Sequence, residues 1–335
     1  MRLPWLKSLC GIFLAAVLVG PAWAANTALP GTLNYIEGQA YIGDQALNSK
    51  SIGSAELQPG QSLTTENGKA EILLTPGVFL RVGDNSTVTM ISSNLTNTEA
   101  DLVKGQATVE VAEIHQYNNL IIGEDGAHTQ LLKNGLYGFD ANQQQVLVLK
   151  GEAVVQDNDQ NVKVKGGHEL NLNSTGRLKT TKFDKNAYEA SDLYRFSALR
   201  SQYLAEANVQ MARQYYAGGP GWYGPGWYWD PWFWGYTWIP GGGIYYSPFG
   251  WGFYSPWLVG YAPVYYGGFG YYGRWGHGHY YPGHVRPPVA RAYAGRSFAG
   301  RMAAPPSAPR GGFAMGGGFH GGGFHGGFHG GGRGR

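Results

Sequence analysis

The nine histidines have the widest chemical reach in this chain. Six fall late: His277, His279, His284, His320, His325 and His329, set among Gly, Phe and Arg. Imidazole suits Zn, Cu or Ni, and a His-Gly-His step offers two ligands at short reach. No carboxylate or thiol completes a defined site around them, so a loose metal site is the most they offer. As polar, ring-stacking members of a low-complexity tail they need no metal, and the composition fits that use better. No cofactor is implied. His115, His128 and His168 lie far apart in the chain, with no Gly-x-Ser-x-Gly, His-Glu-x-x-His or Walker loop. A Gly-x-Gly-x-x-Gly match at Gly268, Gly270 and Gly273 sits in a Gly-rich run, with no clear strand before it or helix after it, as chance produces. A triad assembled in space has no fixed sequence order, but nothing in this chain points to one. The expectation is a protein that is not an enzyme.

The second set of reactive surfaces is aromatic. From Tyr215 to Tyr281 there are nine Trp, fifteen Tyr and four Phe, with Gly and Pro filling much of the remainder. Trp227, Tyr228, Trp229, Trp232, Phe233 and Trp234 form the densest part, and Trp251, Tyr254 and Trp257 follow. No period of 2 or 3.6 persists, and Gly and Pro interrupt any long element. Such a segment builds no independent core, yet its apolar area favours burial. Four uses fit: wrapping the preceding domain, stacking on sugar rings, lying at a membrane interface where Trp and Tyr are favoured, or self-association. Contacts with a partner or with itself rank first and wrapping second, with the nine residues just named as the contact set. Asp230 is the one carboxylate side chain nearby, so the paired acids of a glycosidase are missing.

These residues belong to a chain of two unlike halves. Residues 217–335 hold 35 of the 54 Gly and carry eight Arg, no Lys and one acid, a net +7; residues 25–216 net −6. Anionic envelope polymers, envelope proteins or the acidic half itself suit the basic tail. Arg-Gly content resembles nucleic-acid-binding tails, but export argues against such a partner. Residues 282–335, with paired prolines and Gly/Phe/His runs, read as disordered.

Export is read from residues 1–24. Arg2 and Lys7 precede a short apolar run, Leu9 to Gly20, and Ala22-Trp23-Ala24 suits signal peptidase. The run is short for a membrane span. Cys10, the sole cysteine, lies inside it, so cleavage leaves no thiol, as suits an oxidising compartment. The expected location is the periplasm or cell surface of a Gram-negative bacterium, with peripheral membrane association open.

Residues 25–183 are written in strands. Ala107, Val109 and Val111 alternate with Thr108 and Glu110; Val78 to Val82 and Thr87 to Met90 do so more loosely. Pro59-Gly60, Asn67-Gly68, Pro76-Gly77, Gly83-Asp84-Asn85, Asp125-Gly126 and Asn134-Gly135 punctuate them as turns. A weak repeat, Gly38-Gln39-Ala40, Gly105-Gln106-Ala107 and Gly151-Glu152-Ala153, opens strands, its glycines permitting tight turns rather than carrying chemistry. An all-β domain follows.

Leu57-Gln58-Pro59-Gly60-Gln61-Ser62-Leu63, Gly68-Lys69-Ala70-Glu71-Ile72, the Leu102 to Ala107 strand entry, Gly135 to Phe139 and Val146 to Ala153 resemble a FecR-type periplasmic domain over about residues 33–172. Thr75-Pro76-Gly77 and Glu124-Asp125-Gly126 depart from the family's usual turns. The resemblance implies a mainly β, solenoid- or roll-like domain acting outside the inner membrane. Founding members relay an iron-siderophore signal to a sigma factor through a cytoplasmic start. About seven residues precede the apolar run here, too few for such a regulator. Non-catalytic binding or scaffolding in the cell envelope is therefore expected, with relay through a transporter or regulator as the alternative.

After Phe183 the pattern changes. Leu193, Phe196, Leu199, Tyr203, Ala207 and Met211 fall at steps of three and four, predicting one helix over 184–216, with Asp184 as cap and Gly218-Gly219-Pro220 as stop. Its apolar stripe is expected to pack on the β domain as a lid or strut in preference to lying on a membrane surface, because the polar face (Asp192, Arg195, Arg200, Glu206 and Arg213) is mixed and not strongly basic. Tyr194 to Asn208 and Gly250 to Pro256 are also similar to a group of exported bacterial proteins of undefined function. Beyond 217 the chain is expected to be largely irregular: an aromatic segment to 281, then the tail.

Overall fold

A computed structural model describes residues 28–174, 176–217 and 221–263. The expected leader, the Gly268–Gly273 match, the six late histidines and the 282–335 tail lie outside these residues.

The punctuation sites separate short strands. In chain order they are β1 (Leu33–Ile42), β2 (Gln45–Ala46), β3 (Ser62–Leu73), β4 (Val78–Val82), β5 (Thr87–Asn94), β6 (Asn97–Lys104), β7 (Gln106–Val111) and β8 (Asn119–Glu124). Then follow β9 (Ala127–Leu131), β10 (Gly135–Asp140), β11 (Gln145–Lys150), β12 (Glu152–Asp157), β13 (Gln160–Lys165), β14 (His168–Asn171) and β15 (Thr180–Lys182). All belong to one sheet, ordered β13-β12-β9-β8-β6-β5-β3-β4-β7-β10-β11-β14-β15, with β1 laid along β3. Every pairing is antiparallel except β6 with β8. The sheet is nearly closed: Gln160 at the start of β13 hydrogen-bonds Gly176 and Leu178, just before β15.

Asn67-Gly68 makes no turn. It lies within β3, where Gly68 pairs with Gly38 of β1 across a bulge. A Cβ at Gly38 would sit 2.1 Å from the Asn67 carbonyl oxygen, so this crossing needs glycine. Of the three repeated glycines, Gly105 and Gly151 open strands as expected, whereas Gly38 lies within β1; all three have positive φ, at 67° for Gly38, 82° for Gly105 and 103° for Gly151. That is the conformation L side chains avoid, which supports their reading as shape-giving residues.

One face of the sheet surrounds the main core, which includes Leu63, Ile72, Leu80, Val82, Val109, Val111, Tyr137 and Val148. Alternation then sends Glu71, Phe79, Arg81, Thr108 and Glu110 to the other face. A single sheet would leave such a face to solvent. Instead all five are fully buried, because a second layer covers it.

That layer begins with α1 (Lys185–Glu189), capped by Asp184, and α2 (Asp192–Tyr216), capped by Ser191. The chain thus enters the expected helix in two steps. Leu193, Phe196, Ala207 and Met211 are buried as the stripe predicts, while Leu199 and Tyr203 are half-buried. Arg200 and Glu206, placed on the polar face by spacing, are also buried. Arg200 is buried because its guanidinium turns toward the sheet, onto Glu71 and the Tyr35 ring.

Arg200 reaches a buried ionic network. Arg81 Nε lies 2.8 Å from Glu71 and its Nη1 2.6 Å from Glu110. Arg200 Nη2 lies 2.8 Å from the second Glu71 oxygen. The Ser201 hydroxyl donates to Glu110 at 2.8 Å. Arg200 also stacks 4.1 Å from the Tyr35 ring centroid. Burial opposes ionisation of Glu71, but Arg200 and Arg81 outweigh it and hold its carboxyl below the usual range.

Removing one partner of such a set leaves uncompensated charge in the interior. Arg81→Met should therefore cost about 3–5 kcal/mol, read as a lower urea midpoint with unchanged slope; a loss below about 1 kcal/mol would reduce the network to a surface-like pair. A different carboxyl has no such support. Glu124 points inward at the end of β8, its two oxygens without a well-formed hydrogen bond. Burial pushes it up to about 8, the Gln145 backbone N–H opposing and Asp140 and Asp125 adding to the rise. Between the ordinary 4.5 and about 8, the unfolded chain releases this proton before the folded chain does. The contribution of Glu124 to stability thus falls as pH rises through that window. Glu124→Gln should raise Tm more at pH 8 than at pH 5; an equal gain at both would show that Glu124 titrates normally.

Candidate functional site

The aromatic segment is where chemistry-bearing residues concentrate, and the structure divides it into an inside and an outside. Trp227-Tyr228-Trp229-Asp230 and Tyr236-Thr237-Trp238-Ile239 are the arms of a hairpin, β16 (Gly226–Asp230) and β17 (Gly235–Ile239). Asp230 accepts from the backbone N–H of Trp232 and Phe233, an Asx turn that begins the tight reversal. A second hairpin, β18 (Ile244–Tyr246) with β19 (Gly252–Tyr254), turns about Ser247, whose hydroxyl accepts from Phe249 and Trp251 N–H. A 3-10 helix, Pro256–Tyr261, follows.

Both hairpins are fastened to the layers beneath by buried asparagines. Asn34 sits at a bulge of β1, between the Leu33 and Tyr35 pairs. Freed from the ladder, its amide donates to Glu71 at 2.9 Å and to the Tyr236 carbonyl at 3.0 Å, and its oxygen accepts from Tyr236 N–H at 2.7 Å. Asn208 of α2 donates to the carbonyls of Trp238 and Tyr254 and accepts from Tyr254 N–H at 2.7 Å. Between these clamps, Phe79 of β4 meets Trp227 edge-on at 5.3 Å and Phe253 face-on at 6.0 Å, and Trp238 lies 5.4 Å from Phe253.

The consequence for the expected contact residues is a split. Trp227, Tyr228 and Tyr254 are interior, so they offer no face to a partner; their rings fill the space between α2, the sheet and the 3-10 helix. Trp229, Phe233 and Trp251 are half-buried. Trp232, Trp234 and Trp257 remain outside, at 81 %, 55 % and 65 % exposure. Tyr261, which the sequence did not single out, joins Trp257 on the 3-10 helix at 76 %. Trp234 is held in place, its indole N–H donating to the Ser49 carbonyl at 3.2 Å and its ring edge-on to Trp229.

The described histidines form no joint site. His115 lies 3.6 Å from Glu113, His128 3.2 Å from Glu99, and His168 contacts the Gly166 carbonyl. Among the described residues, no group of three His, Cys, Asp or Glu is placed to hold a metal. No described helix is long and apolar enough to cross a membrane.

Fold and surface together define a mainly β domain whose second layer is one long helix and an aromatic clasp, with indoles presented at two places. Two crystal structures of a "putative anti-sigma factor" from Parabacteroides distasonis ATCC 8503 resemble part of it. The first is 13 % identical, with TM-score 0.32 over 42 % of this chain and 64 % of that one; the second is 14 % identical, with TM-score 0.32 over 41 % and 63 %. The chain thus spans somewhat less than two thirds of their length. No family model and no curated protein matches.

The division of the aromatic segment makes the point of truncation decisive. A chain ending at Tyr216 loses both hairpins and uncovers Phe79, Leu204, Asn34 and Asn208, and its Tm should fall by roughly 10 °C or more. A chain ending at Pro263 keeps this layer and should melt within about 2 °C of the full chain. Equal melting of both forms would mean that the clasp adds nothing to the core.

Proposed function

We propose that the protein is a non-catalytic binding or scaffolding module of the bacterial cell envelope, built on a FecR-like domain and exported by its N-terminal segment. In this reading the sheet and α2 are the rigid body, and Trp232, Trp234, Trp257 and Tyr261 make the contacts. The carrying observation is that these four rings stay exposed while Trp227, Tyr228, Trp238, Phe253 and Tyr254 of the same segment are packed inside. Large aromatic faces on rigid supports lose little conformational entropy on binding. They suit the apolar faces of envelope polysaccharide rings and the surfaces of envelope proteins. The basic residues beyond 263 would add attraction to anionic envelope polymers.

The test is sedimentation with envelope material, comparing the full chain, the form ending at Pro263, and a Trp232→Ala, Trp234→Ala, Trp257→Ala variant. The triple variant should lose most of its sedimenting fraction while its melting temperature stays near that of the full chain. If only the shorter chain is released, the contacts lie beyond residue 263 and not on the clasp. If neither change releases the protein, the scaffolding reading is wrong.

A further inference from the structure

Among the four exposed rings, Trp234 alone has a left-handed backbone, with φ at 51°. The other described non-glycine residues with positive φ are Asn85, Asp125, Gln144 and Asn158, all slender and polar. Asn and Asp visit that region at little cost, whereas a bulky side chain meets a steric penalty there. Glycine would fit the last position of this four-residue turn without strain. The glycine lies one place later instead: Gly235 passes Asn34, where a Cβ would come 3.3 Å from two oxygens. Burial does not offset the strain, since Trp234 stays 55 % exposed. Strain held at an exposed side chain with binding chemistry points to function.

The surroundings hold that ring still. Its indole N–H donates to the Ser49 carbonyl, and it stands edge-on to Trp229 at 5.6 Å. Trp229 in turn backs onto Gly53. Gly53 has φ at 74°, and a Cβ there would come within 2.5 Å of the Trp229 ring, so the support itself requires glycine. Ser49 is fixed as well: Asn48 accepts from Lys50 N–H at 2.9 Å, and Ser51 accepts from Asn48 N–H at 3.1 Å. On the other side of the turn, Phe233 rests against Tyr203 of α2 at 6.3 Å. The result is an indole on a fixed support, beside the exposed Asn48, Ser49 and Lys50, with the more exposed Trp232 two positions away.

We infer that the β16–β17 turn binds a flat pyranose chain, of the β-1,4-linked kind, stacked on Trp234 and Trp232. The axial C–H bonds of such rings are slightly positive and meet the negative face of an indole. Their edge hydroxyls meet the polar side chains of Asn48, Ser49 and Lys50. A fixed platform cannot wrap around a ligand, so it selects a chain that is already flat; an α-1,4-linked chain coils. A lipid surface fits less well, because Phe233, the most lipid-soluble ring at this tip, is half-buried on Tyr203 and does not project. The inference rests on the reading of the exposed rings as contacts. It adds the ligand class and a choice of place, since Trp257 and Tyr261 lack the left-handed backbone.

The experiment titrates the full-length chain with cellohexaose and chitohexaose, with maltohexaose as the coiled match, by calorimetry. Saturable binding of at least one flat chain is expected, with none for maltohexaose. Trp232→Ala and Trp234→Gly should each weaken it at least roughly tenfold, the scale of a lost aromatic anchor, and Trp257→Ala should leave it unchanged. Trp234→Gly should melt within about 4 °C of the parent, because glycine takes the same backbone without strain. No saturation with either flat chain, maltohexaose binding as tightly, unchanged affinity in Trp232→Ala, or equal weakening in Trp257→Ala would each overturn the assignment. A Trp234→Gly chain that melts far below the parent would show that the ring serves the fold, and would overturn the platform. Envelope sedimentation that depends on Trp232 without binding of either flat chain would overturn this ligand class and leave the scaffolding reading standing.

Discussion

Arg81 carries its charge into the middle of the protein, between the sheet and the layer above it, and the architecture has to answer that charge. A guanidinium out of water is tolerable only when its hydrogens meet acceptors and its charge meets carboxylates. Glu71 on β3 sits directly opposite Arg81 on β4, and Glu110 reaches it diagonally from β7, so three neighbouring strands supply charges of alternating sign. Two carboxylates then need a second cation, and Arg200 comes from α2, with Ser201 beside it. The helix is thereby fixed in rotation and in axial position by chemistry that an apolar stripe alone does not specify. Hydrophobic packing would let α2 slide by a residue; the Arg200–Glu71 and Ser201–Glu110 contacts would not survive it.

The clasp extends the same logic to a third group of elements. Asn34 reaches the network from β1 and also pairs with the backbone of Tyr236, as a neighbouring strand would. Asn208 does the same for Trp238 and Tyr254 from the helix. Each clamp closes hydrogen bonds that an isolated hairpin edge would leave to water, and each does so in the interior, where an unmet donor or acceptor is costly. Two-stranded hairpins are marginal alone. Here they persist because Phe79, Trp227, Trp238 and Phe253 pack as one cluster and the asparagines set the register of that cluster against the sheet.

Much of the β domain is legible because local rules act there. Gly and Asn mark most of the reversals, and period two selects the core face of β7. The exception at Asn67-Gly68 is instructive: the same dipeptide that favours a turn also permits a bulge and a close strand crossing, and the long-range pairing with Gly38 decides between them. The burial of Arg81 and Glu110 was not legible. A polar residue on the alternate face of a strand reads as solvent-facing until the covering layer is known, and that layer arrives about 90 residues later, as the separation of Ser201 from Glu110 shows. The hairpins did leave a trace. Trp227 and Trp229 pair with Trp238 and Tyr236 at period two on either side of Asp230-Pro231. The density of aromatics around them hides that alternation, since every position looks apolar.

A segment so rich in rings can satisfy its hydrophobic area by folding onto its own domain or by meeting something else, and one choice limits the other. Trp227, Trp238 and Phe253 have taken the first course. They bury the side of the hairpins that faces α2 and β4, and the Asx turn and the 3-10 helix then carry Trp232 and Trp257 to the far side. The exposed indoles are the part of the segment that this packing leaves outside. Rigidity and exposure therefore share a cause: the rings inside hold the backbone still, and that fixed backbone keeps the rings outside from collapsing inward. The clasp presents two places of firm aromatic contact because the rest of it is core.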